Sequence, residues 1–383
     1  SLSMAQNRVL AQNISATNDI PSFTRSTVDG YAVKAADTFE ATEEKPIELK
    51  FCGHVAIGEL PKVVVKNGLT AEIVTGAPLP EGADSVVMIE YTTQQEEIIF
   101  VHRPVAISEN IMTAGSDIHK NEQVLRKGQI LDSRRIGVLA AIGLTEIPVY
   151  RTPKVAILST GEEIIEPGKP LSPGKIYDIN AHTISAAVKE IGGEPINLGI
   201  IPDNEDTLTK ILKQALNEAD IIITSGGVSV GPKDITPKVV NSLGKPGVII
   251  SGVAVKPGKP LTISVVNGKI IFSLPGNPTS SLFIFNMFIR PILTKLAGRP
   301  KEKIPTIKAK TAKKMFPARG RRTFIMVKLT FEKSGKIIVN PVPTGLSGAI
   351  TTLSKADGFI EISEKRQFLE EGEEIDVYLF GKV

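Results

Sequence analysis

The chain has 383 residues, 42% hydrophobic and 22% charged with a formal net charge of +4, a globular composition that at roughly 100 to 200 residues per domain gives two to four domains. No apolar run approaches the ~18 residues of a membrane span and no basic-then-apolar leader opens the chain, so a cytoplasmic protein with no membrane partner is expected. One cysteine, Cys52, and four scattered histidines exclude a disulfide framework, a zinc finger and an iron–sulfur centre, which leaves oxygen ligands for any metal.

In chain order, Met4 to Ala11 carry a short helical pattern, followed by an extended Pro-containing piece from Ile20 to Val33. From about 40 to 112, short alternating runs (IELKFCGHV, EIVTG, SVVMIEY) between Gly and Pro turns predict a β-rich region. A turn at Lys127-Gly128 precedes a predicted helix from Ser133 to Ile142, capped by Ser133 and ended at Gly143. After Arg151-Thr152-Pro153 the pattern changes to strand KVAILST, helix HTISAAVKEIGG, strand INLGII, helix NEDTLTKILKQALNEA, strand ADIIITSGG and a last apolar helix, LFIFNMFIRPILTKLAG. This alternation predicts a doubly wound, mostly parallel α/β sheet, whose ligands sit at the carboxyl ends of the strands. From about 303 the runs TIKAK, RTFIMVKLTF, KIIVNPV, GFIEI and EEIDVYLF predict a small barrel or sandwich. The segment Arg299 to Lys328 holds eleven Lys or Arg against one acid; its +10, taken from +4, leaves −6 for the remainder. Without tryptophan and with 5% aromatics, that segment is a poor stacking platform, so nucleic acid is not an expected partner.

The candidate chemistry of the α/β region lies just after its predicted strands. Ser159-Thr160-Gly161-Glu162-Glu163, Asp178-Ile179-Asn180 and Asp203 each read, taken singly, as helix caps. Thr224 to Gly231, with Ser225, Gly226, Gly227 and Ser229, joins a strand to Asp234 and reads as a phosphate loop, without Walker spacing. Lys256-Pro257-Gly258-Lys259-Pro260 sets two ammonium groups three residues apart on a stiff backbone, suited to an oxyanion or to a charged turn. Pro275, Asn277, Pro278 and Ser280 open the last helix and form a second anion-site candidate. Taken together, carboxylates, two anion loops and paired lysines point to phosphoryl chemistry with Mg²⁺. The polar runs Ser26 to Val33 and Thr75 to Asp84 exceed what turns need, and their residue types alone assign them no task.

The segments STVDGYAV, VTGAPLPEGADSVVMIE, GSDI, LSTGEE, IYDIN, LGIIPD, SGGVSVGPKD, KPGKP and SLPGNPTSSLFIFNMFIRP, in this order over nearly the whole chain, resemble the molybdopterin molybdenumtransferase family, MoeA and the E domain of gephyrin. The resemblance implies a discontinuous linker and dimerisation domain (1–35 and 118–150), an inserted β-rich domain (36–117), a molybdopterin-binding α/β domain (151–298) and a C-terminal β-barrel (299–383). It implies an elongated homodimer with its active site at the subunit boundary. The reaction so implied inserts molybdate into adenylylated molybdopterin and releases AMP, with the upstream pterin adenylyltransferase as a further partner. Carried over by position, Glu163, Asp203 and Asp234 resemble the acidic metal and nucleotide end; Lys256, Lys259 and Pro260 the oxyanion loop; and Arg321 and Ser347 the residues facing molybdate. Asp29, Thr75 and Asp117 match functional positions of the N-terminal half.

Three features depart from the family. Met112 stands where many members have arginine, Gly252 where some bacterial members have lysine, and only four residues precede AQNRVL, where a further helical stretch is usual, so a truncated N-terminus is expected. A thioether does not replace a guanidinium as an anion ligand. Three other readings stay open: tungstate insertion by the same mechanism, a non-catalytic pterin-binding scaffold, and a pterin adenylyltransferase or nucleotide pyrophosphatase that shares only the α/β domain.

Overall fold

In the computed structural model, which describes residues 1–227, 235–301, 303–342 and 350–380, the chain forms two compact units, 1–6 with 10–148 and 7–9 with 149–383. The first unit is built on strands β1 (Gly30–Val33), β2 (Ile47–Val55), β3 (Leu69–Ile73), β4 (Ser85–Met88), β5 (Thr92–Gln95) and β6 (Ile98–Val101). They form a six-stranded sheet in the order β4-β1-β3-β2-β6-β5, parallel only between β2 and β3. Side-chain alternation divides its core between two faces: Ala32, Ala71, Ile73 and Val86 on one, Val33, Leu49, Val87 and Val101 on the other. Helix α1 (Ser133–Ala141) follows, and its cap is Asp132 rather than the expected Ser133: the Asp132 carboxylate accepts the Arg135 N–H at 3.0 Å.

Three local expectations in this unit are corrected. The helix from Met4 to Ala11 is instead a 3-10 turn at Leu2–Met4, because Asn7 is left-handed at φ 62° and the chain then extends, with Leu10 N–H donating to Gln129 O. EIVTG stays a strand only to Ile73, where a turn closed by Ala77 N–H on Val74 O takes over. SVVMIEY stops at Met88 and passes into a 3-10 turn, Ile89–Tyr91.

The second unit opens with β7 (Lys154–Thr160), α2 (Asn180–Glu190), β8 (Glu194–Ile201), α3 (Glu205–Glu218), β9 (Ile221–Ser225) and α4 (Thr236–Leu243). It continues with β10 (Pro246–Ser251), β11 (Val255–Lys256), β12 (Thr262–Val266), β13 (Lys269–Leu274), α5 (Pro278–Ile284) and α6 (Arg290–Leu296). The sheet order is β8-β7-β9-β13-β12-β10; the first four strands are parallel, β12 runs against them, and β10 pairs antiparallel with β12. Strands buried on both faces are apolar throughout. Val155 and Ile157 pack with α2 and the last helix, while Ala156 and Leu158 pack with α3 and α4. Helix α3 presents Leu208, Leu212, Ala215 and Leu216 to the sheet at helical spacing, and the Asn204 carboxamide oxygen caps it by accepting from Asp206 and Thr207 N–H. The β12–β13 hairpin adds to the expected elements, and its turn Asn267-Gly268, both residues at positive φ, is a strong two-residue hairpin signal.

The final apolar helix is not uniform. Between α5 and α6 lies a π-helical turn, Phe285–Ile289, just before Pro291, which has no N–H to donate and crowds the carbonyl four residues back. Beyond it, β14 (Thr306–Thr311), β15 (Arg322–Phe331), β16 (Ile337–Pro341), α7 (Thr351–Lys355), β17 (Gly358–Ile362) and β18 (Glu374–Leu379) follow. The five strands close as β15-β16-β14-β18-β17-β15, so the expected small barrel or sandwich is a barrel, with Val327, Val339, Ile360 and Val377 in its core.

Candidate functional site

The parallel strands place β7, β9 and β13 side by side, so their carboxyl ends, where a doubly wound sheet binds its ligands, lie together. Among the described residues, the buried polar atoms without a hydrogen-bond partner concentrate there: Ser159 Oγ and Thr160 Oγ1 on β7, Thr224 Oγ1 on β9, Ser273 Oγ on β13, Asp178 Oδ2, Asn180 Oδ1 and Ser281 Oγ. Each such atom costs roughly 1–3 kcal/mol when unsatisfied, so this end of the sheet is more polar than packing alone requires. Asn180 joins three elements: its amide donates to Ser225 Oγ at 2.7 Å and to Gly276 O at 2.8 Å. Asp178 Oδ1 accepts from Ala181 N–H at 3.0 Å, as a cap does, while its other oxygen is one of the unpartnered atoms.

The expected phosphate loop is partly visible. Ser225 ends β9; Gly226 and Gly227 follow at φ 89° and 63°, and Gly226 N–H donates to Leu274 O at 3.2 Å. Ser229, Asp234 and Ser347 lie outside the described residues. Asn277 and Ser280 serve the fold directly: the Asn277 side chain accepts from Ser280 N–H at 3.0 Å, and Pro278 takes the first helical turn of α5, where a missing N–H is harmless. Pro275 lies between β13 and this cap.

Carboxylates gather at the next position. Gly161, at φ 144°, folds the chain so closely onto Glu163 that a Cβ on Gly161 would lie 2.8 Å from Glu163 Oε2. The Asp203 carboxyl is held above its ordinary range, first by partial desolvation and then by the negative charges of Glu163 and Glu162. Among the described residues, no three His, Cys, Asp or Glu side chains are grouped closely enough to hold a metal ion by themselves.

The basic edge is assembled by tertiary structure. Strand β11 leaves the α/β sheet and pairs in parallel with β15 of the barrel, setting Val255 against Arg322 and Lys256 against Thr323; Arg322 N–H donates to Ala254 O at 3.0 Å. The loop after Lys256 packs tightly, since a Cβ on Gly258 would lie 2.4 Å from the Ile284 side chain. Lys259 O accepts from Val253 N–H at 2.9 Å, which closes the loop on itself before Pro260, while the β11–β15 pairing ties its base to the barrel edge that carries Arg321. A second junction is apolar, with Phe283 of α5 packed among Phe324, Met326, Val342 and Phe359. Gly252 sits at φ 80°, in the left-handed region that glycine enters without strain.

In the N-terminal unit, two polar runs that sequence left without a task meet. Thr75 donates to Asp29 Oδ1 from both its N–H (2.6 Å) and its hydroxyl (2.8 Å), and these two bonds hold the Asp29 carboxyl below its ordinary range. Such a depressed carboxyl favours the folded form above its ordinary value of 3.8 and loses that contribution as pH falls through its folded value. Asp29→Asn is therefore expected to speed amide exchange at Thr75 by about tenfold, measured by hydrogen exchange at neutral pH, with the remainder of the sheet unchanged. Asp117 is exposed, its N–H bound to Ile20 O at 3.0 Å. Met112 pairs with Arg25 across an antiparallel bridge, and the Arg25 guanidinium reaches Met112 Sδ at 3.6 Å, so a guanidinium does stand beside the position where the family arginine is missing.

Asn180, Ser159, Thr160 and Thr224 lie in segments that the sequence marks as candidates, whereas Ser273 on β13 carries no local signal, and nothing local shows that these polar atoms gather at the same strand ends. The sequence also leaves Arg322 unassigned; this arginine is occupied by Glu361 at 3.3 Å and Glu364 at 3.4 Å.

Comparison with known proteins gives three successive family matches: the MoeA N-terminal region (domain I and II) over residues 1–143, the probable molybdopterin binding domain over 156–295, and the MoeA C-terminal region (domain IV) over 308–380. The molybdopterin molybdenumtransferase of Bacillus subtilis is 35% identical over 97% of this chain and 87% of its own length, and that of Haemophilus influenzae 34% identical over 99% and 93%. Among solved structures, a molybdopterin biosynthesis MoeA protein from Pyrococcus horikoshii is 39% identical, with a TM-score of 0.85 over 100% of this chain and 94% of that one. With these three regions matched in order along the chain and relatives of this identity over nearly its full length, this protein belongs to the molybdopterin molybdenumtransferase family.

Proposed function

We propose that this chain is a transferase of molybdenum cofactor biosynthesis that inserts molybdate into adenylylated molybdopterin and releases AMP. The observation that carries the reading is the parallel pairing of β11 with β15, which joins the Lys256–Lys259 loop to the barrel edge bearing Arg321. Lysines and a guanidinium suit a tetrahedral oxyanion, and they stabilise negative charge as it develops on oxygen. The crevice at β7, β9 and β13, with Ser225, Gly226 and Gly227, receives the pterin and its phosphates, positioned by backbone N–H groups.

Mg²⁺ suits the acidic end: the Asp203 carboxyl is raised first by partial desolvation and then by the charges of Glu163 and Glu162, and a hard cation on carboxylate oxygens would offset both. Glu163 and Asp203, with Asp234, are the proposed ligands, and Mg²⁺ there would neutralise phosphate charge. Asp29, Thr75 and Asp117 are proposed to complete the site from the second subunit of a homodimer. The four-domain division, at 1–35 with 118–150, 36–117, 151–298 and 299–383, belongs to the same proposal.

The test is direct. Purified protein given adenylylated molybdopterin, Mg²⁺ and molybdate is expected to release AMP and yield active cofactor. AMP formation no faster than in a protein-free control would refute the reading.

A further inference from the structure

We propose that Thr323 is a positioning residue for the oxyanion end of the site: its buried hydroxyl holds the Arg321 turn, while its backbone, paired with Lys256, keeps that turn beside the lysine loop. This rests on the function proposed above and concerns a residue that contacts neither pterin nor oxyanion.

Arg321 lies in the turn Ala318-Arg319-Gly320-Arg321, closed by Arg321 N–H on Ala318 O at 3.2 Å, with Gly320 left-handed at φ 66°. Such a turn on a surface rich in like charge has little of its own to define it. Thr323 brackets it from within: its Oγ1 accepts from Ala318 N–H at 2.9 Å and donates to Arg321 O at 3.1 Å, so both ends of the turn are bound to one side chain only 3% exposed. The backbone of the same residue is paired with Lys256 in the parallel bridge between β11 and β15. One residue thus fixes the turn that carries the guanidinium and the strand that leads into the lysine loop. The neighbouring arginine is held away by Glu361 and Glu364, which leaves Arg321 rather than Arg322 as the guanidinium that this bracket places for an anion.

Displacing a charged ligand group by about 1 Å weakens its interaction with a small anion far more than it disturbs a large, many-contact substrate. Thr323→Val keeps the side-chain shape and removes both hydrogen bonds. In the AMP-release assay, the molybdate KM of Thr323→Val is expected to rise about tenfold, with the KM for adenylylated molybdopterin unchanged and kcat at saturating molybdate within about twofold. Thr323→Ser, which keeps the hydroxyl, is expected to restore the molybdate KM. An unchanged molybdate KM in Thr323→Val, or equal losses toward both substrates, would overturn the proposal. Should the valine variant fail to fold, Thr323→Cys, with a weakly hydrogen-bonding thiol of similar size, is read the same way: a raised molybdate KM supports the role and an unchanged one overturns it.

Arg321→Ala, measured alongside, separates the two levels. If it leaves molybdate dependence unchanged, the oxyanion site of the proposed function has failed. If it raises the molybdate KM while Thr323→Val does not, the positioning role alone has failed.

Discussion

Gly226→Ala is expected to lower AMP release by at least about 100-fold and to destabilise the fold by about 2–4 kcal/mol. Gly226 stands at φ 89°, in the left-handed region that alanine enters at a cost of about 1–2 kcal/mol. Sterics add to this, because a Cβ there would lie 2.3 Å from the Thr160 carbonyl oxygen, a backbone atom that cannot rotate away. Relief requires β9 to withdraw from β7 at the very ends that form the crevice. The Asn180 links to Ser225 Oγ and Gly276 O, at 2.7 and 2.8 Å, would stretch with that movement. Denaturant unfolding and the AMP assay measure the two effects independently. A variant of normal stability and rate would mean that the turn has more room than its backbone geometry allows.

Glu163→Gln is the second large effect expected, a loss of at least about 100-fold in AMP release at ordinary Mg²⁺ concentrations, partly recovered as Mg²⁺ is raised. The substitution keeps the shape and removes one of the charges facing Asp203. The same loss of charge has a readout in metal-free protein. Glu163 helps to raise the Asp203 carboxyl, so its removal should move the Asp203 titration down toward the ordinary value of 3.8, as followed by carbon NMR. The sign for stability follows. A carboxyl raised in the folded state favours folding below its unfolded value, and that contribution is lost as pH rises through the folded value, so Glu163→Gln should gain stability relative to the parent at neutral pH. A variant that loses activity without moving Asp203 would separate Glu163 from the acidic cluster.

The fold was legible wherever the signal is periodic. Val155 to Leu158, apolar on both faces, could only be a central strand, and Leu208, Leu212, Ala215 and Leu216 could only face a sheet from a helix. Failures came where one residue overrides a pattern. Asn7 turns left-handed and ends the helical reading of residues 4–11, and Pro291 converts one predicted helix into two joined by a π turn. The β12–β13 hairpin could have been found from Asn267-Gly268 alone.

Sequence by itself determined the family through ordered motifs, the α/β alternation, the small β-structure at the C-terminus and the chemical character of each candidate segment, because these depend on residue type and short-range spacing. Tertiary structure alone decided which segments meet. Asp29 and Thr75, 46 residues apart, become one hydrogen-bonded pair, and Asn180 ties the end of β9 to the loop after β13. The basic stretch acquires a direction only because β11 pairs with β15, setting Lys256 opposite Thr323 and so beside the Arg321 turn. The physical reason is that hydrogen-bond register and side-chain convergence are fixed by the packing of whole elements, whereas one element's own pattern records only which of its faces is apolar.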